Sequence, residues 1–226
     1  MRRSCHRRRA SPGFDEEVLV DAASVKALRE LLASTGWGDR TRRFGRSLRE
    51  AGHDPGGLLL VGTPAEEPWH LTAHLDEESR WSDMPSLAPV LVRWQPPVGA
   101  PPHLAIGIER LEQAGRGETV FVVAPDTPPP SLLERVADAR KDGAVILTLD
   151  GGDRELEALA HDALVVPGGE RTDGGVVLPS GLPPVSFDLV SHLVSVSAGE
   201  GPSQLRRGMR ARLAQLLDTL SGPRES

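Results

Sequence analysis

The sequence predicts an α/β protein built on a five-stranded, mostly parallel, doubly wound sheet, with extra helices before and after it. Short apolar runs separated by turn residues begin at Gly57, and such runs are typical of strands that are buried on both faces of a parallel sheet. Amphipathic stretches with helical spacing alternate with the later runs, as right-handed βαβ crossovers require. The 226 residues suffice for one large domain of this kind.

The chain is expected to divide into a leader, a single domain and a tail. Residues 1–17 are rich in arginine, serine, proline and glycine without periodicity, which predicts a disordered leader. Residues 18–221 are expected to form the domain, and residues 222–226 a disordered tail. Two helices are predicted before the first strand, because apolar residues recur at helical spacing within residues 25–32 and within residues 44–51.

Five strands and further helices are predicted in the rest of the domain. The strands are expected at residues 58–61, 90–94, 119–123, 144–149 and 163–166. Helices are expected at residues 103–114, 131–141, 154–161 and 185–196, and a glycine- and proline-rich loop at residues 168–184. A last amphipathic segment is expected to dock on the sheet or on a second subunit. Its apolar face contains Leu205, Met209, Leu213, Leu216, Leu217 and Leu220.

The composition argues against several function classes. Cys5 is the single cysteine, so neither an intrachain disulfide nor a cysteine-based metal cage can form, and a reducing, cytoplasmic location is expected. No apolar run approaches the roughly 20 residues that a membrane-spanning helix needs. Five arginines lie in the first nine residues, and the rest of the chain holds 21 basic against 32 acidic side chains. Nucleic acid is an unexpected partner for such an acidic body, unless the leader contacts phosphates as a flexible arm.

A family resemblance covers residues 119–167. A strand leads through a loop into a helix that ends in the turn Lys141-Asp142-Gly143-Ala144, and the next strand follows directly. Residues 153–167 read DRELEALAHDALVVP. This succession resembles the second half of a sugar isomerase (SIS) domain, in which the last segment has the form S-x-L-A-x-x-A-D-x-x-L-x-V-P. The resemblance implies a SIS-like or flavodoxin-like fold, a homodimer, and a sugar phosphate as ligand.

The loops that grip the phosphate in this family are altered here. SIS domains have an S-x-S-G-x-T loop after the third strand, where hydroxyls and free N–H groups at a helix start favour an anion. The aligned residues are Ala124-Pro125-Asp126-Thr127-Pro128-Pro129, so hydroxyls and N–H donors are missing and Asp126 adds a negative charge. The family's G-x-G-x-S turn is replaced by Gly62-Thr63-Pro64-Ala65-Glu66-Glu67. A phosphate bound in the family manner is therefore disfavoured.

Five residues are candidate ligand contacts. Thr63, Asp126, Thr127 and Ser131 follow the first and third strands, and ligands of open α/β sheets bind at the carboxyl ends of strands. Ordinary turn and N-cap roles are the alternative for the hydroxyl-bearing residues. His192 lies in the late predicted helix, where the SIS resemblance implies a histidine that transfers a proton.

Two further groupings do not predict a site. His70 and His74 are four residues apart, as in the zinc motif H-E-x-x-H, but the glutamate is absent and surface histidines are expected instead of a metal site. Asp188, Ser191 and His192 have the residue types of a hydrolytic triad, but adjacent residues on one helix point about 100° apart and do not converge. We therefore assign no metal, no cofactor and no catalytic residue from the sequence.

The sequence favours a noncatalytic SIS-like binding or regulatory module, because the fold signature is retained while the ligand loops are degenerate. One alternative is a sugar-phosphate isomerase with Glu109 or His192 as its base, and another is a phosphosugar-sensing protein. A regulator that touches nucleic acid through the arginine-rich leader is a further hypothesis, which the acidic body opposes. The residues leave open whether any catalysis is retained.

Overall fold

The computed structural model describes residues 36–52, 54–166, 171–172, 175–176 and 187–199. The predicted leader, the helix at residues 25–32, the amphipathic segment at residues 205–220 and the tail lie outside the described residues, as does most of the predicted loop at residues 168–184. The division of the chain into leader, domain and tail therefore stays a prediction.

Five parallel strands form the central sheet, which confirms the predicted fold class. They are β1 (Leu58–Val61), β2 (Pro89–Val92), β3 (Thr119–Ala124), β4 (Val145–Asp150) and β5 (Asp162–Val165). Their order is β2-β1-β3-β4-β5, and all four pairings are parallel. From β1 the chain moves toward one edge of the sheet and from β3 toward the other, so the boundary between β1 and β3 is the topological switch point.

In the described part of the chain, five α-helices flank the sheet. They are α1 (Trp37–Ala51), α2 (Trp69–Trp81), α3 (Pro130–Lys141), α4 (Arg154–Leu159) and α5 (Phe187–Gly199). Four of these were expected from apolar periodicity, but α2 has no counterpart among the predicted helices. Its buried apolar residues are only Leu71 and Leu75, and two leucines one turn apart are too weak a periodic signal to predict a helix.

Residues 103–114, which were predicted to form one amphipathic helix, instead form two short 3-10 helices, Pro102–Leu104 and Ile108–Gln113. Between them the backbone becomes extended at Gly107, which forms an isolated parallel bridge with Arg93 at the edge of the sheet. The pairing gives the backbone groups at the end of β2 their hydrogen-bond partners. Tertiary pairing thus overrides the local helical pattern.

Each face of the sheet carries its own apolar core. Alternation along β1 sends Leu58 and Leu60 to one face and Leu59 and Val61 to the other. Helices α1, α2 and α5 cover the first face, whereas α3, α4 and the 3-10 helix Ile108–Gln113 cover the second. Right-handed crossovers produce this division, because the chain leaves β1 and β3 in opposite directions.

Helix α5 packs against both α1 and α2. Gly45 of α1 permits close approach, because an added Cβ would lie 2.6 Å from the Cβ of Ser197. Arg49 of α1 donates to the carbonyl oxygen of Ser197 at 3.0 Å, near the carboxyl end of α5, where the helix dipole favours a cation. On α2, Glu78 touches Gly199 and His74 contacts His192. Helices α2 and α5 therefore run in the same direction, and their amino ends lie together.

A small ladder is formed by β6 (Arg171–Thr172) and β7 (Gly175–Val176), which are antiparallel. It falls within the segment that was predicted as an irregular loop. None of the helices in the described part of the chain is both long and apolar enough to cross a membrane.

Candidate functional site

A crevice opens at the carboxyl edge of the sheet, at the switch point between β1 and β3. Ligands of open α/β sheets bind at such a point. The crevice is lined by residues 66–71, by Val123 at the end of β3, and by Phe187, Asp188 and Ser191 of α5. Its volume is about 280 Å³, close to the lower end of the range of about 300 to 1,000 Å³ that is usual for ligand sites. The amino ends of α2 and α5 form two of its walls.

The loop between β1 and α2 folds tightly against the strand ends. Gly62 is required there, because an added Cβ would collide with the carbonyl oxygen of Glu66 and would lie 2.7 Å from Cδ of Pro68. The Glu66 N–H donates to the Thr63 carbonyl at 3.2 Å. The Trp94 indole N–H, just beyond β2, donates to the Gly62 carbonyl at 2.9 Å. These contacts hold the loop in the position that shapes one wall of the crevice.

Arg93, which is not a lining residue, contacts two residues at the start of α2. Its Nε donates to a carboxylate oxygen of Glu67 at 2.9 Å, and its Nη2 lies 2.9 Å from the same oxygen. Its guanidinium carbon lies 4.4 Å from the centre of the Trp69 ring, which is a cation–π contact. The Arg93 and Glu67 side chains are 14% and 16% exposed, so water screens the pair weakly. Trp69 is thereby held in place, although it remains 40% exposed.

Carboxylates dominate the charge of the lining. Glu66, Glu67 and Asp188 all line the crevice, and among the described lining residues the basic side chain is the His70 imidazole. Glu67 is neutralised by Arg93, and Glu66 makes contacts of its own. Asp188 is exposed in the first turn of α5 and forms no ion pair within the described part of the chain. The crevice therefore has an acidic mouth.

None of the five residues predicted as ligand contacts belongs to the described lining of the crevice. Thr63 is 2% exposed, and its Oγ1 forms no hydrogen bond in the described part of the chain. Asp126 and Thr127 are exposed in the loop after β3, and Ser131 lies in the first turn of α3, on the other face of the sheet. His192 lies on α5. The binding role of these five residues stays a prediction.

The start of α3 offers few donors to a phosphate. Pro130 has no N–H, and the N–H groups of Leu132 and Leu133 lie 2.9 and 3.3 Å from the carbonyl oxygen of Pro129. Ser131 contributes the other N–H of this turn. Because a helix start binds phosphate through several converging N–H groups, this geometry supports the expectation that the family's mode of phosphate binding is disfavoured.

His192 forms an edge-to-face pair with His74 of α2, with the ring centres 4.5 Å apart. Burial, reinforced by the neighbouring His74, lowers the pKa of His192 to about 4. Its Nε2 is buried without a hydrogen bond among the described residues. The imidazole is therefore uncharged at neutral pH. The sequence did not link the two histidines, because the contact depends on how α2 and α5 pack.

The histidine pair and the triad-type residues that the sequence analysis considered do not form a metal site or a catalytic triad. Asp188 and Ser191 line the crevice, whereas His192 contacts His74, so the three triad-type residues do not converge. His70 also lines the crevice. Among the described residues, no cluster of three or more histidine, cysteine, aspartate or glutamate side chains is placed to hold a metal ion.

Asp150 is a buried carboxylate at the same edge of the sheet that the sequence reasoning missed. The Thr148 hydroxyl and the Gly152 N–H donate to it, each at 2.8 Å, and burial raises its pKa. The Gly151 N–H donates to the Ala124 carbonyl at 3.0 Å. These contacts tie the loops after β3 and β4 together, which is a structural role.

No protein-family model matches the sequence, and no curated protein sequence matches it. The chain is similar in structure to a candidate phosphosugar isomerase from Silicibacter pomeroyi, with 14% identity, a TM-score of 0.49, and coverage of 87% of this chain and 53% of that one. It is also similar to a candidate phosphosugar isomerase from Salmonella typhimurium, with 12% identity, a TM-score of 0.48, and coverage of 81% and 48%.

A third similar structure is the NanR protein of Vibrio vulnificus in complex with ManNAc-6P, with 13% identity, a TM-score of 0.43, and coverage of 90% of this chain and 71% of that one. The chain spans about half the length of the first two structures. No residue role or ligand follows from similarity at this level.

Proposed function

We propose that this protein is a noncatalytic, SIS-like binding or regulatory module that holds a small ligand in the crevice at the β1–β3 switch point. The position of the crevice carries the proposal. It lies where the chain reverses its direction across the sheet, and one wall is a loop that Gly62 and Trp94 hold in a single arrangement.

The packing of α5 against α2 would allow a ligand in the crevice to affect distant parts of both helices. Helices α2 and α5 each contribute their first turn to the crevice and then continue side by side, with contacts from His74–His192 to Glu78–Gly199. A ligand that touches both first turns stabilises one arrangement of the two helices. It can therefore change the surface at their far ends, provided that it binds one arrangement better than another.

The positions of the two candidate bases argue against catalysis in this crevice. Glu109 is exposed in the 3-10 helix Ile108–Gln113, on the opposite face of the sheet, and its carboxylate touches Gly107 of its own segment. His192 contacts His74 and has a pKa of about 4. A general base is most effective when its pKa lies near the operating pH, so His192 is a weak base at neutral pH.

Thr63 supports phosphosugar sensing as the second candidate function. Its Oγ1 is buried without a hydrogen bond in the described part of the chain, at the start of the crevice loop. A buried hydroxyl without a partner is costly, and a phosphate oxygen of a sugar phosphate is a partner of suitable chemistry. In that case Thr63→Val should weaken the binding of sugar phosphates and leave the binding of unphosphorylated sugars unchanged.

A ligand screen tests the proposal. The melting temperature is measured with hexoses, amino sugars, sugar phosphates and nucleotides. A compound present at 100 times its Kd should stabilise the fold by about 2.7 kcal/mol, which raises Tm by about 5 to 10 °C in a domain of this size. His70→Trp, in the exposed part of the lining, should weaken the binding of any compound that gives a shift.

Ala73→Trp is the matched control, because Ala73 is exposed on the same helix but does not line the crevice. It should bind each compound as the unaltered protein does. The proposal is wrong if no compound raises Tm, or if His70→Trp and Ala73→Trp bind the compounds equally well.

The proposal includes a cytoplasmic location and a homodimer. The amphipathic segment at residues 205–220 is the element that we expect to form the dimer contact, because its leucine-rich face must be covered.

A further inference from the structure

We infer that the crevice selects a ligand of about monosaccharide size that carries a protonated amine, and that it discriminates against phosphate. The inference rests on the proposed function, since it describes the chemistry of the same crevice. It is carried by Asp188, whose carboxylate lies at the crevice mouth without an ion pair in the described part of the chain.

The walls suit the rest of such a molecule. Trp69 and Phe187 are partly exposed aromatic residues that offer apolar faces, and Val123 is a buried residue of the lining. The Ser191 hydroxyl lies one turn from Asp188 on the same side of α5, and Ser191 is 7% exposed. Arg93 already lies over the Trp69 ring, whereas no cation among the described residues lies over Phe187, and such a ring attracts a cation through its negatively polarised face. The volume of about 280 Å³ limits the ligand to a compact body.

The amino ends of α2 and α5 do not make the crevice prefer an anion. A helix amino end carries about half a positive charge and binds anions when it is unoccupied. Here each start already has carboxylates beside it, with Glu66 and Glu67 next to α2 and Asp188 within the first turn of α5. Among the described lining residues there is no arginine or lysine, and Arg93 is already paired with Glu67. A phosphate dianion would therefore meet negative charge, with no free guanidinium or ammonium group among those residues to offset it.

Calorimetric titration of the full chain with D-glucosamine, D-glucose and glucose 6-phosphate tests the inference. Glucosamine should bind at least about ten-fold more tightly than glucose, because a charge-assisted hydrogen bond is about twice as strong as a neutral one. Glucose 6-phosphate should bind more weakly than glucose. Added salt should weaken the binding of glucosamine and leave that of glucose unchanged.

Substitutions at Asp188 distinguish an effect of its charge on binding from a structural effect. Asp188→Asn should lower the affinity for glucosamine about 10- to 100-fold and lower the affinity for glucose far less. Asp188→Glu keeps the negative charge and should retain most of the affinity for glucosamine. Glu134→Gln is the matched control, because it removes one exposed carboxylate from α3 on the other face of the sheet and should alter neither affinity.

The possible failures are distinguishable. If none of the three sugars binds, the inference about the amine is wrong, whereas the proposed function fails only if no compound of the melting-temperature screen binds. If glucose and glucosamine bind equally, or glucose 6-phosphate binds most tightly, the crevice is still a binding site and only the inference about charge is overturned. If Asp188→Asn binds glucosamine as tightly as the unaltered protein does, Asp188 is not the group that recognises the amine.

Discussion

Replacing His192 by phenylalanine should make the stability of the protein less sensitive to acid. The pKa of His192 is about 4 in the folded protein, against about 6.5 in an unfolded chain. Between these values the unfolded state binds more protons than the folded state. Stability is therefore fully present above pH 6.5 and is lost as the pH falls from about 6.5 to about 4.

The size of the effect follows from these two pKa values. The full shift would lower the free energy of unfolding by about 2 kcal/mol between pH 7 and pH 5. Because the His192 ring is only partly buried, solvent screening reduces the expected loss to about 1 kcal/mol. His192→Phe keeps a ring against His74 and removes the titrating group, so it should eliminate this part of the pH dependence.

Urea unfolding, followed by tryptophan fluorescence at pH 5, 6 and 7, measures the difference. The stability of His192→Phe relative to the unaltered protein should rise by about 1 kcal/mol from pH 7 to pH 5. His103→Phe, at an exposed histidine of the 3-10 helix Pro102–Leu104, should show no such change. A constant difference between His192→Phe and the unaltered protein at all three pH values would refute the reasoning.

Two further predictions concern the crevice loop and the assembly. Gly62→Ala should destabilise the protein by about 1 to 3 kcal/mol and weaken ligand binding, because the added Cβ collides with the Glu66 carbonyl. In urea unfolding, Gly115→Ala should lower the free energy of unfolding less than Gly62→Ala does, because the atom nearest to the added Cβ is 3.3 Å away. Equal losses of stability in the two variants would contradict the proposed role of Gly62 in the loop. Analytical ultracentrifugation of the full chain should give twice the mass of one chain. A shortened chain that ends at residue 204 should sediment as a monomer. If the shortened chain still dimerises, the segment at residues 205–220 is not the dimer contact.

Much of the central sheet was predictable from the sequence. Strands β1, β3 and β4 are almost entirely buried, and uninterrupted apolar runs between turn residues are specific for that environment. Helices α1 and α3 were predictable for a related reason, since each buries residues at helical spacing. Such patterns depend only on neighbours along the chain, and the sequence carries them directly.

The candidate site was less accessible to sequence reasoning. Thr63 and Asp126 follow β1 and β3 as expected, but the described crevice lining does not include them and instead includes Trp69 and Phe187. Two acids followed by a proline after the first strand were the available signal for a helix start there.

The sequence by itself determined the fold class and the shortage of N–H donors before α3, because both follow from residue types in local order: buried apolar runs for the strands, and prolines without N–H groups before the helix. Only the tertiary structure decided that α2 and α5 run side by side, that His74 meets His192, and that Asp188 faces the crevice. Those contacts join residues far apart in the chain, and their geometry depends on how the helices pack on the sheet, which no local pattern encodes.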